Sequence, residues 1–214
     1  MRVDDQAVEN IRIRRATPCD TRQIMEAIYD DPPRHALAIA GTVERARRLA
    51  HVMEDGGLDV DVRRTVVADA GGVVAGLMET MRPSEDIEIS ATKLLRVLWR
   101  GLWEFGPDIL VGYVRFAAAR AHVEIKRAPD SLYVAELDVH PDFRNRGIGA
   151  ALLRHADGVA AAERFARLSL TTDIANPARR LYERAGYHVV AERRDRSYEH
   201  LTGSPGRVLM VKDL

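Results

Sequence analysis

The densest chemistry in the chain lies at residues 138–150, Asp-Val-His-Pro-Asp-Phe-Arg-Asn-Arg-Gly-Ile-Gly-Ala. A strand pattern ends at Pro141, and a short loop carrying Gly147 and Gly149 opens an amphipathic helix. The first turn of a helix leaves backbone N–H groups unpaired and carries the positive end of the dipole. Such a junction suits a phosphate or diphosphate. Glycines without a Cβ let a ligand approach the main chain, and Arg144 and Arg146 add positive charge. The spacing is not that of a P-loop, because no Gly-Lys-Ser/Thr follows. Nor is it a dinucleotide fingerprint, because Leu152 stands where the third glycine is needed.

The strand before this loop, 132–139, is otherwise apolar yet carries Glu136 and Asp138 on one parity. A carboxylate in a central strand loses hydration, which raises its pKa toward that of a useful base. Glu136 is the first candidate, with His140 and Asp138 behind it. The plainer readings are a solvent-facing or ion-paired acid and, for His140, a polar residue leading into the Pro141 turn. Cys19 is the only cysteine. It precedes Asp20 at an expected helix start, but without a histidine arrangement it reads as a small buried residue rather than a nucleophile. Seven histidines without a His-Glu-x-x-His pattern give no metal site.

The elements that must position these groups follow from periodicity. Strands are expected at 11–15, Thr65–Asp69, 73–78, 132–139, 168–172, 187–191 and 208–212. Asp20 and Gln23 resemble a capping box opening a helix through Tyr29. A second helical stretch carries Leu37, Val43, Ala46 and Leu49 on one side and ends at Gly56 and Gly57. Residues 84–127 break the strand rhythm. Ser90 could cap a helix with Leu94, Leu98 and Leu102 at steps of four, and another helix is expected from Asp108 to Lys126. Trp99 and Trp103, one turn apart, are expected to pack in the core or else to line a pocket. Helices over 148–164 and 177–185 complete the order, the second ending at Gly186 as a C′ glycine. The fold class expected is α/β of the α+β type: a central mixed, mostly antiparallel twisted sheet with helices on both faces. Residues 10–214 form a single domain in this reading, with 84–127 as a helical insertion.

Composition sets outer bounds. The chain has 214 residues, 46% of them hydrophobic and 30% charged, enough to build a core without disulfide or metal. No apolar run approaches the ~18 residues of a membrane span, and the acidic N-terminus does not look like a signal peptide. A cytoplasmic location with no membrane partner is therefore expected. Thirty-two basic residues balance 32 acidic ones, which argues against nucleic acid as a partner.

With these residues in view, the sequence resembles the GNAT superfamily of N-acetyltransferases. The family signature Arg/Gln-x-x-Gly-x-Gly/Ala is met by Arg144, Gly147 and Gly149. A second stretch, 176–187, resembles the family's Asn-x-x-Ala-x-x-Leu-Tyr-x-x-x-Gly-Phe region through Asn176, Leu181, Tyr182, Gly186 and Tyr187. Here Ala178 stands only two residues after Asn176. The resemblance implies the acetyl-CoA N-acyltransferase fold and direct transfer of an acetyl (acyl) group from acetyl-CoA to a primary amine, with no metal. It further implies that the main chain of Arg144, Asn145, Arg146, Gly147, Ile148, Gly149 and Ala150 holds the diphosphate. Leu137, Asp138 and Val139 would pair with the pantetheine arm, and Asn176 and Ala178 would meet that arm from the other side. Tyr182 would face the sulfur as the acid, with Glu136 as base and a backbone N–H near Val139 as oxyanion donor. The acceptor would be a small-molecule amine or a peptide, and a homodimer is left open. A catalytically inactive CoA-binding sensor or interaction module is the competing reading; it would keep Arg144, Gly147 and Gly149 without needing Glu136 or Tyr182.

Overall fold

The computed structural model describes residues 11–56, 61–85 and 91–214. One seven-stranded sheet runs in the order β1-β2-β3-β4-β5-β7-β6. Its strands are β1 (Arg12–Arg15), β2 (Thr65–Asp69), β3 (Val74–Met81), β4 (Ser131–Val139), β5 (Arg167–Asp173), β6 (His188–Arg194) and β7 (Gly206–Asp213). Only β4 and β5 pair in parallel; the other neighbours are antiparallel. The mixed, mostly antiparallel sheet expected from the sequence is therefore present, each strand within a few residues of its expected place.

Eight helices are seen among the described residues. Three lie between β1 and β2: α1 (Thr21–Asp30), α2 (Arg34–Ala40) and α3 (Val43–Gly56). Two lie between β3 and β4: α4 (Ala91–Phe105) and α5 (Asp108–His122). The rest are α6 (Ile148–Ala162), α7 (Arg179–Arg184) and α8 (Arg196–Thr202). On one face, α6 buries Ile148, Leu152, Leu153, Ala156 and Ala160 against Met78, Leu132, Val134, Leu168, Leu170 and Met210. This is the i, i+4, i+8 stripe of an amphipathic helix, each large side chain stabilising by about 1.5–3 kcal/mol. On the other face, α1–α3 bury Ile24, Met25, Ala36 and Leu49 against Val67 and Leu77.

Several expectations change on contact with the structure. The stretch holding Leu37 and Leu49 is two helices, because Gly41 takes a left-handed φ of 83° between them. The Asp20–Gln23 capping box does not form. Asp20 instead accepts from Thr17 N–H and Thr17 Oγ1, both at 2.7 Å, and from both terminal nitrogens of Arg14. Gln23 Oε1 accepts from Val74 N–H at 2.9 Å. The helix expected to reach Lys126 stops at His122, and α8 was not foreseen at all. Trp99 and Trp103 are 68% and 84% exposed, so they belong neither to the core nor to an enclosed pocket. Cys19 is exposed rather than buried. The Ser90 cap falls outside the described residues.

Candidate active site

Two departures from regular sheet geometry make the site. The first is a bulge. Glu79 of β3 lies opposite Glu136 of β4, but Thr80 lies opposite Val134, so Ala135 is the extra residue. Strand alternation would otherwise put Glu136 and Asp138 on the same face as Leu132 and Val134, under α6. The extra residue reverses the parity. Leu137 and Val139 now pack against the α6-side core. Glu136 and Asp138 turn to the opposite face, across from Glu79 and Leu77.

The second departure is a split. β4 and β5 pair only from Ser131↔Arg167 to Val134↔Leu170, although β4 continues to Val139 and β5 to Asp173. Beyond Val134 the two strands therefore part, and one edge of 135–139 faces a gap. His140 N–H donates to Ala75 C=O on the β3 side at 3.0 Å. By alternation, the N–H groups of Leu137 and Val139 point into the gap.

The gap leads to the helix start singled out from the sequence. A 3₁₀ turn, Pro141–Phe143, buries Phe143 and anchors the loop. Asn145 and Gly147 both take left-handed φ, 63° and 80°, which turns successive backbone N–H groups toward one side. The first α6 bond runs from Ala151 N–H to Gly147 C=O at 2.9 Å, leaving Ile148, Gly149 and Ala150 N–H without intrahelical partners. A Cβ at Gly147 would meet nothing within 4 Å, whereas one at Gly149 would lie 2.8 Å from Leu181 Cδ2. Gly147 thus leaves room for a ligand, and Gly149 lets α7 close over the gap.

The charged groups are arranged less simply than the sequence suggested. Arg144 folds back, its Nε donating to Val139 C=O at 3.1 Å and its Nη1 to Asp31 Oδ2 at 2.8 Å. It ties the end of α1 to the end of β4. Arg146 lies over the Phe143 ring. Asn176 holds the turn into α7, donating to Thr172 Oγ1 at 2.8 Å and accepting from Ala178 N–H at 2.9 Å. His140 Nδ1 accepts from Asp142 N–H, and its ring packs edge-on to Phe143. That matches the plain turn-leading reading.

Glu136 is exposed to the solvent in the cleft, yet protein crowds it from its other sides. Loss of hydration, then the negative charges of Asp138 and Glu79, push its carboxyl up to about 7, with Arg207 opposing. Asp138 is raised to about 6, mainly by burial. It is held back by the Val139 N–H, which donates to its Oδ1 at 2.7 Å, and by Arg144. Burial also raises Glu79. Tyr182 is buried edge-on to Tyr187, and burial followed by the Glu136 and Asp138 charges drives its phenol well above the usual range. It therefore stays protonated at neutral pH.

The wall beyond the split went unnoticed in the sequence, because its members are scattered. Tyr198 of α8 donates to Asp173 Oδ1 at 2.7 Å. Arg207 of β7 lies 3.8 Å from Asp173 and donates to Thr171 C=O at 3.1 Å. Phe116 of α5 packs between His35 and Tyr198. Gly112 lets α5 touch α2, since a Cβ there would lie 2.2 Å from Ile39 C=O. Among the described residues no group of three or more His, Cys, Asp or Glu could hold a metal ion, and no helix is long and apolar enough to cross a membrane.

Comparison with known proteins identifies the family and the fold. The pattern of the Acetyltransferase (GNAT) family matches residues 77–187, the stretch from β3 through the split to α7. No curated protein matches the chain. Among solved structures, an N-acetyltransferase from Staphylococcus aureus Mu50 is similar with a TM-score of 0.60 at 17% identity, over 94% of this chain and 99% of that one. A mosquito arylalkylamine N-acetyltransferase-like 5b gives 0.52 at 18% identity, over 96% and 100%. The PaiA N-acetyltransferase from Thermoplasma acidophilum, in complex with coenzyme A, gives 0.50 at 15% identity, over 96% and 99%. At these identities the structures speak for the fold, while the family match spans just over half the chain: the protein belongs to the GNAT acetyltransferase family, an acyltransferase of the EC 2.3.1 class.

Proposed function

We propose that the chain transfers an acetyl group from acetyl-CoA directly to a primary amine, with both substrates bound together. The observation that carries this is the split. An unpaired strand edge at 135–139 leads straight to the open helix start at 147–150, giving an extended pantetheine arm and a diphosphate adjoining places. Asn145, Arg146, Gly147, Ile148, Gly149 and Ala150 cradle the diphosphate through main-chain N–H groups, while Arg144, whose own N–H donates to Pro141 C=O at 3.2 Å, opens the loop that presents them. Leu137, Asp138 and Val139 pair with the arm, and Asn176 and Ala178 fix the turn that borders it.

The amine approaches from the face bearing Glu136. An ammonium has no free lone pair, so Glu136, directly or through water, takes its proton. Its carboxyl near 7 is matched to that task at neutral pH. The nitrogen then bonds to the thioester carbonyl carbon, the tetrahedral oxyanion collapses, and the C–S bond breaks. Tyr182, kept protonated by burial, supplies the proton to the departing thiolate and regains one from the acylated nitrogen, which sheds its extra proton as the neutral amide forms. Val139 N–H serves as the oxyanion donor once Asp138 releases it, and one such donor is typically worth ~10²-fold in rate. Holding both substrates in place accounts for much of the remainder.

The test is thiol release from acetyl-CoA across a panel of small amines and peptides, with Gly147→Glu as the binding control. That substitution sets a carboxylate where the diphosphate would lie. Amine-dependent thiol release abolished by Gly147→Glu supports the assignment. Coenzyme binding without turnover for any amine would leave a binding module instead.

A further inference from the structure

The acceptor side of the cleft has two ends of opposite sign. One end is Glu136, with Asp138 and Glu79 beside it. The other is built from Arg207 of β7, Arg120 of α5 and His35 of α2, and the proton and acyl steps use none of them.

Sheet geometry brings Arg207 to the cleft. Val208 and Met210 pack on the α6 side, whereas Leu209 and Val211 pack with Ile125 on the opposite face. Arg207 shares the second parity, and so the face that bears Glu136. Ile174 N–H donates to Gly206 C=O, so by alternation Thr171 turns its C=O away from β7 and toward the split. Arg207 reaches across β5 and donates to that carbonyl through Nη2. Its guanidinium thus lies at the lip of the split, close enough for Glu136 to feel its charge.

Neither arginine is fully matched. The Arg207 side chain is only 14% exposed, and its Nε lies 3.8 Å from the Asp173 Oδ1 that already accepts from the Tyr198 hydroxyl. Its buried Nη1 has no hydrogen-bond partner among the described residues, and an unpaired N–H in the interior is costly. Arg120 pairs with Glu124 through Nη1, from the solvent side, and its side chain stays 29% exposed. Loss of hydration, then the charge of Arg207, depress Arg120. The two cations oppose one another, and an anion bridging them relieves both. His35 is open to the cleft beside Phe116. Loss of hydration lowers it against the pull of Asp173, so it adds a neutral polar group to the same end.

We propose that the acceptor is an amino acid, its ammonium at Glu136 and its carboxylate held by Arg120 and Arg207. This rests on the acetyl-transfer reading and narrows its amine to one that also carries an acid. A plain amine or a diamine leaves the cationic end unmatched, and a site built to bond a polar group discriminates strongly against the analogue lacking it.

The experiment measures thiol release from acetyl-CoA with leucine, phenylalanine, lysine and γ-aminobutyrate. Each is set beside its decarboxylated counterpart: isopentylamine, phenethylamine, cadaverine and propylamine. The full chain is compared with Arg120→Gln and Arg207→Gln. Arg120 is partly exposed and pairs at the surface, so its variant folds even where Arg207→Gln does not, as far-UV circular dichroism will report. The wild type is expected to favour the acid in at least one pair by on the order of 100-fold in kcat/KM. Arg120→Gln is expected to shrink that ratio on the order of 30-fold, chiefly through KM for the acid. Differences in amine basicity cancel, because the same pair is compared in both proteins. Calorimetry with coenzyme A present follows the N-acetyl forms of the four acids. Thiol release as fast with the amines as with the acids overturns the proposal and leaves acetyl transfer standing. An acid preference indifferent to both substitutions overturns it too. Thiol release with no amine at all would sink the transfer reading instead; the carboxylate site then stands if an N-acetylated acid binds the wild type but not Arg120→Gln, and falls if none does.

Discussion

Replacing Glu79 by Gln tests the electrostatic origin of the Glu136 base without touching the base itself. Glu79 sits directly opposite Glu136 in the β3–β4 register, where Cβ atoms are about 5 Å apart. Two carboxylates about 6 Å apart at an effective dielectric of about 40, suited to a cleft open to water, repel by about 1.4 kcal/mol, one pKa unit. Glu79 is itself raised by burial and is only partly ionised while Glu136 titrates, so the expected shift is about half a unit to one unit. In the wild type, with Glu136 near 7, about nine-tenths of it is protonated at pH 6 and about a tenth at pH 8. The pH profile of kcat/KM should therefore climb through neutrality and level off. Glu79→Gln removes a negative neighbour, so the ascending limb must move toward acid, with coenzyme affinity unchanged. The three acids Glu79, Glu136 and Asp138 titrate as a set, and the inflection read is that of the set. A limb that stays put, or moves toward alkali, would refute the assignment of Glu136 as base.

Other expectations follow from the same geometry. Glu136→Gln should flatten the profile and, because ionising this raised carboxyl costs stability in the apo fold as pH climbs from about 4.5 through 7, raise the melting temperature at pH 8 but not at pH 4. A lower melting temperature at pH 8 would contradict that sign. Tyr182→Phe should lower kcat with little change in acetyl-CoA affinity by titration calorimetry; unchanged turnover removes the acid role. Asp20, nearly buried and bonded to Arg14 and Thr17, is depressed well below the usual carboxylate range. Its contribution is present above about pH 4 and is lost as pH falls further. Asp20→Asn should cost roughly 2–4 kcal/mol in urea denaturation at pH 7 and progressively less at low pH.

The readable parts of this fold were those set by local pattern. The strands read well because short apolar runs are bounded by residues that cannot continue them, and the phosphate loop because Gly147 and Gly149 have a local, steric reason to be there. What escaped depended on tertiary context. In α4 apolar residues occupy both the inner and the outer side, so spacing alone could not say which way Trp99 and Trp103 point. Helix α8 is mostly polar and has no stripe to announce it; only the Asp195 cap, accepting from Tyr198 N–H, marks its start. Arg144 was read as a charge beside the phosphate, but Asp31, far away in sequence, draws its guanidinium aside. Asp173, Tyr198 and Arg207 become neighbours only when β5, α8 and β7 assemble.

The bulge at Ala135 acts as a parity switch for the strand. Deleting that single alanine would only straighten β4, because Glu136 would then follow Val134 in regular alternation, still on the cleft face, with Leu137 and Val139 still beneath α6. Keeping the alanine but pairing it without the bulge would turn the strand's far half inside out, driving two carboxylates into oil and stranding Leu137 and Val139 in water. A lineage or designer can therefore lose the extra residue together with its bulge, but an added residue that the ladder does not absorb as a bulge erases the catalytic face.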